Sequence, residues 1–359
     1  MSNVGCVLDA PVIHWCVLDA PYEKVDMSYL GDLSIRLAGG ATVFADEFRR
    51  RHADYLVKTA NPDGGYSGRQ GGSDAYYTSF TLRGLAMLGG LDSQIAKRIA
   101  AYLQRLETEQ LSSIDFFSWL LSAELLRIIA GLEVLGGSDL QLVDQDRAQA
   151  IKASIDRYRR PDGGYAKSPS SPSSSIYHTF LAVACRELFQ TQDFQNNPDW
   201  TDKIDQLVKS RRRPDGGYVE IKQMRQSGTN PTAAAVAVLR IIGRLDDPDH
   251  DNFQESAIDF LSGMQTSDGG FRANTRIPFS DLLSTFTALT ALKDLTENRE
   301  KKLSDLVDLP TARRYAEGLE VPSGGFRAGA WDDSPDVEYT FYGLGTLAFL
   351  NAEEFIEDG

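Results

Sequence analysis

The feature that most constrains the fold of this chain is a Gly-Gly turn that recurs at a nearly fixed period. The turn appears in five segments, at residues 61–66, 160–165, 213–218, 266–271 and 321–326. The Gly-Gly pairs start at residues 64, 163, 216, 269 and 324, so the last three intervals are 53, 53 and 55 residues. A constant period of this length indicates a repeat architecture, in which each unit packs against its neighbours.

The first interval, from residue 64 to residue 163, is 99 residues and therefore close to two periods. A degenerate unit is predicted near residue 112, with residues 111–115 as its loop and 116–135 as its apolar helix. Its turn has lost the Gly-Gly pair. The chain then contains six units.

Each unit is predicted to be a helical hairpin. A helix of moderate polarity precedes the turn, a polar loop follows it, and the second helix is more apolar. A more apolar helix is buried on more sides. We therefore predict an all-α protein, an α6/α6 toroid of six helical hairpins around a central cavity. An open α-solenoid of six hairpins is the alternative.

Residues 1–33 do not fit the repeat and are predicted to be an N-terminal arm. They contain a duplication, Cys-Val-Leu-Asp-Ala-Pro, at 6–11 and 16–21. We expect the arm to be extended through about residue 30, either lying on the body or disordered. Residues 34–359 are predicted to form one toroid domain.

The composition excludes several classes of protein. The net charge of −14 repels a phosphate backbone, so we expect no nucleic-acid partner. Three cysteines, Cys6, Cys16 and Cys185, have no zinc-binding spacing, and their odd, sparse count is typical of a reducing cytoplasm. The first 20 residues lack the features of a signal peptide, and no run of about 18 apolar residues predicts a transmembrane helix.

The turns resemble a known repeat. Gln265-x-x-Asp268-Gly-Gly-Phe271 and the Arg-Pro-Asp-Gly-Gly-Tyr segments at 160–165 and 213–218 are similar to the repeats of protein prenyltransferase β-subunits and squalene cyclases. The resemblance covers about residues 45–352. It implies a toroid whose inner helices point their N-termini at one mouth of the cavity, with an α-subunit-like protein as a partner.

Function is predicted at the start of each inner helix, where free N–H groups favour anions such as a diphosphate. Aromatic residues precede the small hydroxyl residue at four of five aligned junctions, and a tryptophan lies nearby: Tyr77, Phe117, His178, Tyr339 and Trp331. Such residues would line a cavity for an isoprenoid chain and stabilise a carbocation. Ordinary helix packing is the alternative.

The resemblance also implies a zinc site, which the sequence does not keep. Asp281 matches the family's aspartate ligand, but Leu283 stands at the cysteine position and Tyr339 at the histidine position. We therefore expect no zinc. Asp281, Asp336 and Tyr339 remain the candidate catalytic residues of this region.

The family binds diphosphate with cations that follow the penultimate Gly-Gly-Phe. Arg272 and Arg276 occupy that loop, and Arg327 occupies the next. A guanidinium group suits phosphate because its N–H groups form a planar fork. A solvated loop is the alternative for these arginines.

One acidic cluster comprises Asp332, Asp333 and Asp336. Its carboxylates would suit Mg²⁺ beside a diphosphate. Pro335 places the first two in a loop, and Asp336 has the position of a helix cap. Mg²⁺ binding and helix capping are both retained as interpretations.

The first hypothesis is a prenyltransferase β-subunit-like protein that binds an isoprenyl diphosphate or similar lipid in a central aromatic cavity, and it leaves open whether the prenyl group is transferred without the family's zinc site. The second is a non-catalytic toroid that binds a ligand or another protein. The third is a divergent terpenoid cyclase, which the absence of an Asp-x-Asp-Asp run disfavours.

Overall fold

The computed structural model describes residues 27–135, 145–189, 197–247 and 251–358. The α-helices in these ranges are, in chain order, α1 Tyr29–Ala41, α2 Asp46–Lys58, α3 Ala75–Leu88, α4 Ser93–Gln104, α5 Ser113–Ala130, α6 Gln145–Asp156, α7 Ile176–Leu188, α8 Pro198–Arg211, α9 Thr229–Ile241, α10 Asp251–Ser262, α11 Leu282–Thr296, α12 Leu309–Gly318 and α13 Val337–Asp358. A short antiparallel pair, β1 Phe271–Arg272 and β2 Ser280–Asp281, accompanies them.

Six of these helices form a closed inner ring. Helices α3, α5, α7, α9, α11 and α13 each contact the next, and α13 also contacts α3. Each of α2, α4, α6, α8, α10 and α12 packs against the inner helix that follows it in the chain. The predicted toroid of six hairpins is confirmed, and the open solenoid is excluded because the first and last inner helices touch.

The contrast between the two layers is visible in their burial. Helix α9 of the inner ring buries ten of its 13 residues, whereas α2 of the outer layer buries two of 13. The degenerate unit is also confirmed, since α4 and α5 form a hairpin without a Gly-Gly turn. Burial on several sides explains why the inner helices are the more apolar ones.

Each Gly-Gly turn packs against the next outer helix. Gly269 has φ +93°, and a Cβ atom there would lie 2.2 Å from the carbonyl oxygen of Thr311 in α12. Gly324 of the last turn meets the carbonyl oxygen of Arg51 in α2 in the same way, at 2.5 Å. Only glycine combines this backbone conformation with such a close approach. The last turn therefore closes the outer layer onto the first outer helix.

A set of side-chain hydrogen bonds stabilises these turns, as the third one illustrates. Asp215 accepts from the N–H of Gly217 at 3.1 Å and from the hydroxyl of Ser227 at 2.7 Å. The N–H of Tyr218 donates to Oγ1 of Thr232 at 2.9 Å. The last bond recurs with the hydroxyls of Thr78, Thr179, Thr285 and Thr340. The hydroxyl that aligns the junctions is therefore structural.

Helix α1 crosses one end of the ring. It contacts α3, α7, α9 and α13, which belong to different sides of the ring. The N–H of Tyr29 donates to Glu187 at 2.8 Å, and its hydroxyl donates to Asp294 at 3.0 Å. Because both acceptors lie in the last turns of inner helices, α1 covers the end formed by the C-termini of those helices.

The structure differs from the sequence prediction at this helix. Residues 29–33, assigned to the arm, form the start of α1, where Ser28 accepts from the N–H of Gly31 and so caps the helix. Residues 1–26, with their duplication, lie outside the described residues.

Candidate functional site

The candidate catalytic carboxylates cap inner helices. Asp281 accepts from the N–H of Ser284 at 2.7 Å and from its hydroxyl at 2.9 Å. Asp336 accepts from the N–H of Tyr339 at 2.9 Å, and Asp74 caps α3 in the same manner. Burial raises the pKa of Asp281 and of Asp336, while the cap hydrogen bonds act in the opposite direction. These contacts show that the carboxylates accept hydrogen bonds from the free N–H groups at helix N-termini.

Two of the three candidate diphosphate-binding arginines contact the ends of outer helices. Arg272 donates to the carbonyl oxygen of Gly263 at 3.2 Å, and Arg327 donates to that of Gly318 at 3.0 Å. Each acceptor lies nine residues before its arginine, at the C-terminus of an outer helix. Arg276 is exposed in its loop. These contacts favour a capping role for Arg272 and Arg327.

The acidic cluster of the last loop is paired with an arginine from the first loop. Arg69 forms a two-pronged ion pair with Asp332, in which its Nη1 lies 2.7 Å from Oδ1, and its Nε lies 3.2 Å from Asp336. The Arg69 guanidinium lowers the pKa of Asp332 to about 2. Asp333 is exposed. Asp332 and Asp336 thus bind a guanidinium, and this ion pair joins the first and last units.

The aromatic candidates occupy different environments. Phe117 is fully buried and packs against Tyr158 within the wall, at a ring distance of 5.7 Å. Trp331 is 56% exposed and donates to the carbonyl oxygen of Ser280 at 3.3 Å.

The other three aromatic candidates lie nearer the inner-helix ends. Tyr77 packs over Gly68, and Tyr339 lies 6.3 Å from the ring of Tyr342. His178 is buried beside the hydroxyl of Ser113, 3.4 Å from its Nδ1, and burial lowers its pKa to about 4. The structure therefore does not gather the five predicted side chains at one place.

A polar cluster that the sequence did not single out lies inside the ring. The hydroxyl of Tyr76 in α3 donates to Glu338 in α13 at 2.6 Å. Both residues, and Arg83 of α3, interact electrostatically with Tyr177 of α7. Helix α7 is not a neighbour of α3 or α13 in the ring, so Tyr177 acts on these groups across the interior.

Burial dominates the electrostatics of this cluster. It raises the pKa of Glu338 to about 7, and it raises the pKa of Tyr177 to about 12. It lowers the pKa of Arg83, because a desolvated guanidinium loses the hydration that stabilises its charge. Shifted pKa values of this kind are concentrated at functional sites.

An aromatic group surrounds the cluster. The ring of Phe80 lies 4.8 Å from Tyr76, 5.5 Å from Phe341 and 5.3 Å from Tyr342. Phe286 extends the group to α11, at 5.7 Å from Tyr342. The interior therefore combines apolar aromatic surface with a small set of polar groups, which is the composition of a small-molecule site.

Charged groups at the opposite end of the interior are paired. Arg240 lies 3.6 Å from Asp294 and also contacts Glu297, while Arg36 lies 3.6 Å from Glu353. The pocket that remains between α1 and the inner helices has a volume of about 20 Å³, room for about one water molecule. Helix α1 thus fills this end.

A weak signal for the interior cluster was present in the sequence. Tyr76, Phe80 and Arg83 are spaced four and three residues apart in α3, so they share one helix face. Arg83 is a cation within an otherwise apolar inner helix. The charge of Arg83 and the helix face that it shares with two aromatic residues could have indicated a functional residue. Nothing in the sequence indicates that Tyr177 faces it.

Within the four described ranges, no three or more His, Cys, Asp or Glu side chains lie together as a group that could hold a metal ion. Nor is any helix in the described part of the chain both long and apolar enough to cross a membrane.

Solved structures of similar fold come from different functional classes. A variant of the type II terpene cyclase MstE from Scytonema, in complex with geranylgeranyl dihydroxybenzoate as substrate, superposes with a TM-score of 0.57 at 13% identity, covering 90% of this chain and 99% of that chain. The GH76A α-1,6-mannanase from Salegentibacter superposes with a TM-score of 0.58 at 10% identity, covering 87% and 99%. A protein from Actinoplanes gives 0.53 at 15% identity, covering 86% and 98%.

At these identities the likeness shows the fold alone. A search of curated proteins finds no match at the level of sequence. The model of the prenyltransferase alpha-alpha toroid domain matches residues 27–124 and 123–359, and so nearly the whole chain. With the closed ring of six hairpins, this match shows that the chain belongs to the prenyltransferase α/α toroid domain family.

Proposed function

We propose that this protein binds an isoprenoid or similar lipid inside its ring, without transferring the prenyl group. The observation that carries the proposal is the aromatic group around Phe80, which includes the half-buried Tyr76 and lies beside polar side chains in the interior. An isoprenoid chain would pack on these rings, and burial of its methylene groups would supply the affinity.

Binding is favoured over transfer by the partners of the arginines. Transfer from a diphosphate needs cations that stabilise the charge on the leaving group. Arg272 and Arg327 donate instead to helix-end carbonyl groups. The raised pKa of Glu338 also makes it a weak acid, poorly suited to protonating an alkene in a cyclase.

Two proteins of similar fold bear on the class of ligand. MstE is a toroid of similar fold that was solved with a geranylgeranyl compound, so the fold can accommodate such a chain. The mannanase acts on a carbohydrate with the same fold. The choice between lipid and carbohydrate therefore depends on the residues of the interior, and the aromatic group around Phe80 favours lipid.

The proposal is tested by measuring the thermal stability of the purified protein with farnesol, geranylgeraniol, farnesyl diphosphate and an α-1,6-mannan oligosaccharide, each with and without Mg²⁺. We expect isoprenoids to raise the melting temperature, and native mass spectrometry to show one bound molecule. Stabilisation by the oligosaccharide alone, or by none of the compounds, would contradict the proposal.

A pair of matched variants locates the binding site. Phe80 and Phe116 are each 3% exposed, but Phe116 packs in the wall against Tyr158 and not in the interior aromatic group. Phe80→Leu should weaken isoprenoid binding by about fivefold, since an aromatic contact contributes about 1 kcal/mol beyond area. Phe116→Leu should leave binding unchanged. Equal effects of the two variants would place the ligand elsewhere.

A further inference from the structure

The guanidinium of Arg83 lies inside the ring without an ionic partner. It is stacked between the rings of Phe80 and Phe341, with its Cζ 4.6 Å and 4.2 Å from their centroids. Across the described part of the chain, no carboxylate oxygen lies within 4.0 Å of it. Among the described residues, its one hydrogen-bond acceptor is the carbonyl oxygen of Ser79, 3.4 Å from Nε, and neither terminal nitrogen has an acceptor.

This arrangement differs from that of Arg186 and Arg240, which form ion pairs. Arg186 is 1% exposed and lies 2.9 Å from Asp156, and Arg240 at the far end of the interior is paired with Asp294 and Glu297. An interior charge without a partner is costly, and proteins normally pair such charges. Arg83 is partly exposed, so its terminal nitrogens can be reached by a ligand.

Two further hydrogen-bond donors beside Arg83 lack acceptors. The hydroxyls of Tyr177 and Tyr342 interact electrostatically with Arg83, and neither hydroxyl forms a hydrogen bond with any residue that the structure describes. Glu338 accepts from Tyr76 but from neither of these hydroxyls, and it lies beyond salt-bridge distance of Arg83. The interior thus presents a fork of N–H donors and two hydroxyls from opposite walls, none of which is hydrogen-bonded to the nearby Glu338.

We propose that the interior of the ring recognises a lipid carboxylate, whose oxygens accept from Arg83 and from the hydroxyls of Tyr177 and Tyr342. The inference rests on the proposed function and names its ligand class. A guanidinium binds a carboxylate through two parallel hydrogen bonds. One guanidinium balances one negative charge, whereas a diphosphate would bring several charges into a space that also holds Glu338.

The test compares farnesoic acid, farnesol and farnesyl diphosphate, which share one chain and differ in the head group. Dissociation constants are measured by isothermal titration calorimetry at pH 8. We expect farnesoic acid to bind at least about tenfold more tightly than farnesol, as a charge-assisted hydrogen bond would give. Farnesyl diphosphate should bind no more tightly than farnesoic acid.

Arg83→Met removes the charge and retains the length of an apolar side chain. We expect this variant to lose the preference for farnesoic acid while farnesol binds as before. It should also unfold at the same temperature as the parent or a higher one, because an unpaired charge has been removed. A purely structural arginine would give the opposite change in stability and no change in preference.

Variants at the tyrosines add a matched control. Tyr177→Phe and Tyr342→Phe should each weaken farnesoic acid binding severalfold and leave farnesol binding unchanged. Tyr102 in α4 also has a buried hydroxyl without a partner among the described residues, but it lies in the outer layer. Tyr102→Phe should therefore change the affinity for neither farnesoic acid nor farnesol.

Three outcomes would overturn the inference. Equal binding of farnesol and farnesoic acid by the parent protein would refute it and leave the proposed function standing. An unchanged preference in Arg83→Met would refute the role of this residue, and a clear preference for farnesyl diphosphate would refute the carboxylate class. If no farnesyl compound binds at all, the proposed function fails and the inference fails with it.

Discussion

The Nδ1 atom of His52 accepts a hydrogen bond from the backbone N–H of Gly325 at 3.0 Å, joining the first outer helix to the last Gly-Gly turn. In four other turns an aspartate within the turn accepts the corresponding bond. The last Gly-Gly turn has Ser323 at that position, and a neighbouring unit supplies the acceptor. The proton of the neutral ring is then on Nε2, which faces Glu320 at 3.1 Å.

His52→Ala should lower the free energy of unfolding by about 3 kcal/mol, because it leaves a buried N–H without an acceptor and removes ring packing. Urea unfolding followed by circular dichroism measures the loss. Adding Ser323→Asp to this variant restores the acceptor that the other turns use, so part of the loss should be recovered. A double variant no more stable than His52→Ala would show that the hydrogen bond is not the cause.

Two threonines of α3 distinguish the contribution of the turn hydroxyl to stability from that of ordinary helix packing. Both are fully buried, but Thr78 accepts from the N–H of Tyr66, whereas Thr81 bonds only within its own helix. Thr78→Val should cost about 1–3 kcal/mol because it leaves a buried donor unsatisfied. Thr81→Val should cost less, as judged from the same urea titrations. Equal costs would contradict the structural role assigned to the junction hydroxyl.

Adjacent glycines of α1 should respond in opposite ways to alanine. A Cβ at Gly40 would lie 1.8 Å from the carbonyl oxygen of Ala348, while a Cβ at Gly39 meets no atom within 4 Å. Gly39→Ala should stabilise the protein by up to about 1 kcal/mol through helix propensity. Gly40→Ala should displace α1 and lower the melting temperature. Stabilisation by both variants would show that α1 does not pack closely on α13.

The raised pKa of Glu338 predicts a pH-dependent penalty. Its pKa rises from 4.5 to about 7, mainly through burial, so the folded state binds the proton more tightly than the unfolded state. The contribution of this group to stability therefore falls as the pH rises from 4.5 to 7, and the full penalty applies above 7. Glu338→Gln should gain up to about 3 kcal/mol at pH 8 and almost nothing at pH 5.

The measurement for Glu338→Gln is urea unfolding at pH 5, 6, 7 and 8. Glu255→Gln serves as the control, because an ion pair with Lys301 lowers the pKa of this exposed glutamate and the same substitution should give no gain at high pH. A gain that does not depend on pH would mean that burial of Glu338 does not shift its protonation.

The repeat predicted the fold because its glycines leave few alternatives. Gly269 must adopt a positive φ and approach the backbone at Thr311, and a residue with this requirement at a fixed period implies stacked units. The degenerate unit of α4 and α5 could be predicted from the intervals between the Gly-Gly pairs alone. Helix α1 could not be predicted in this way, since it carries no repeat and depends on contacts with distant residues such as Asp294.

The candidate site was harder to predict than the fold. Arg272 and Arg327 match the family's cations in sequence position, yet each guanidinium reaches back nine residues to a helix end. The regular spacing of these two arginines within the repeat is typical of a structural role. Arg83 and Tyr177 belong to different units, and only the curvature of the ring brings them near each other.

The contact between Gly324 and α2 also governs how the molecule comes apart. In a linear array of repeats the end units fray first, because each has a neighbour on one side only. This ring has no end unit, since its last Gly-Gly turn packs against its first outer helix. Loss of any hairpin exposes two others at once, so inner and outer helices should unfold in a single cooperative transition.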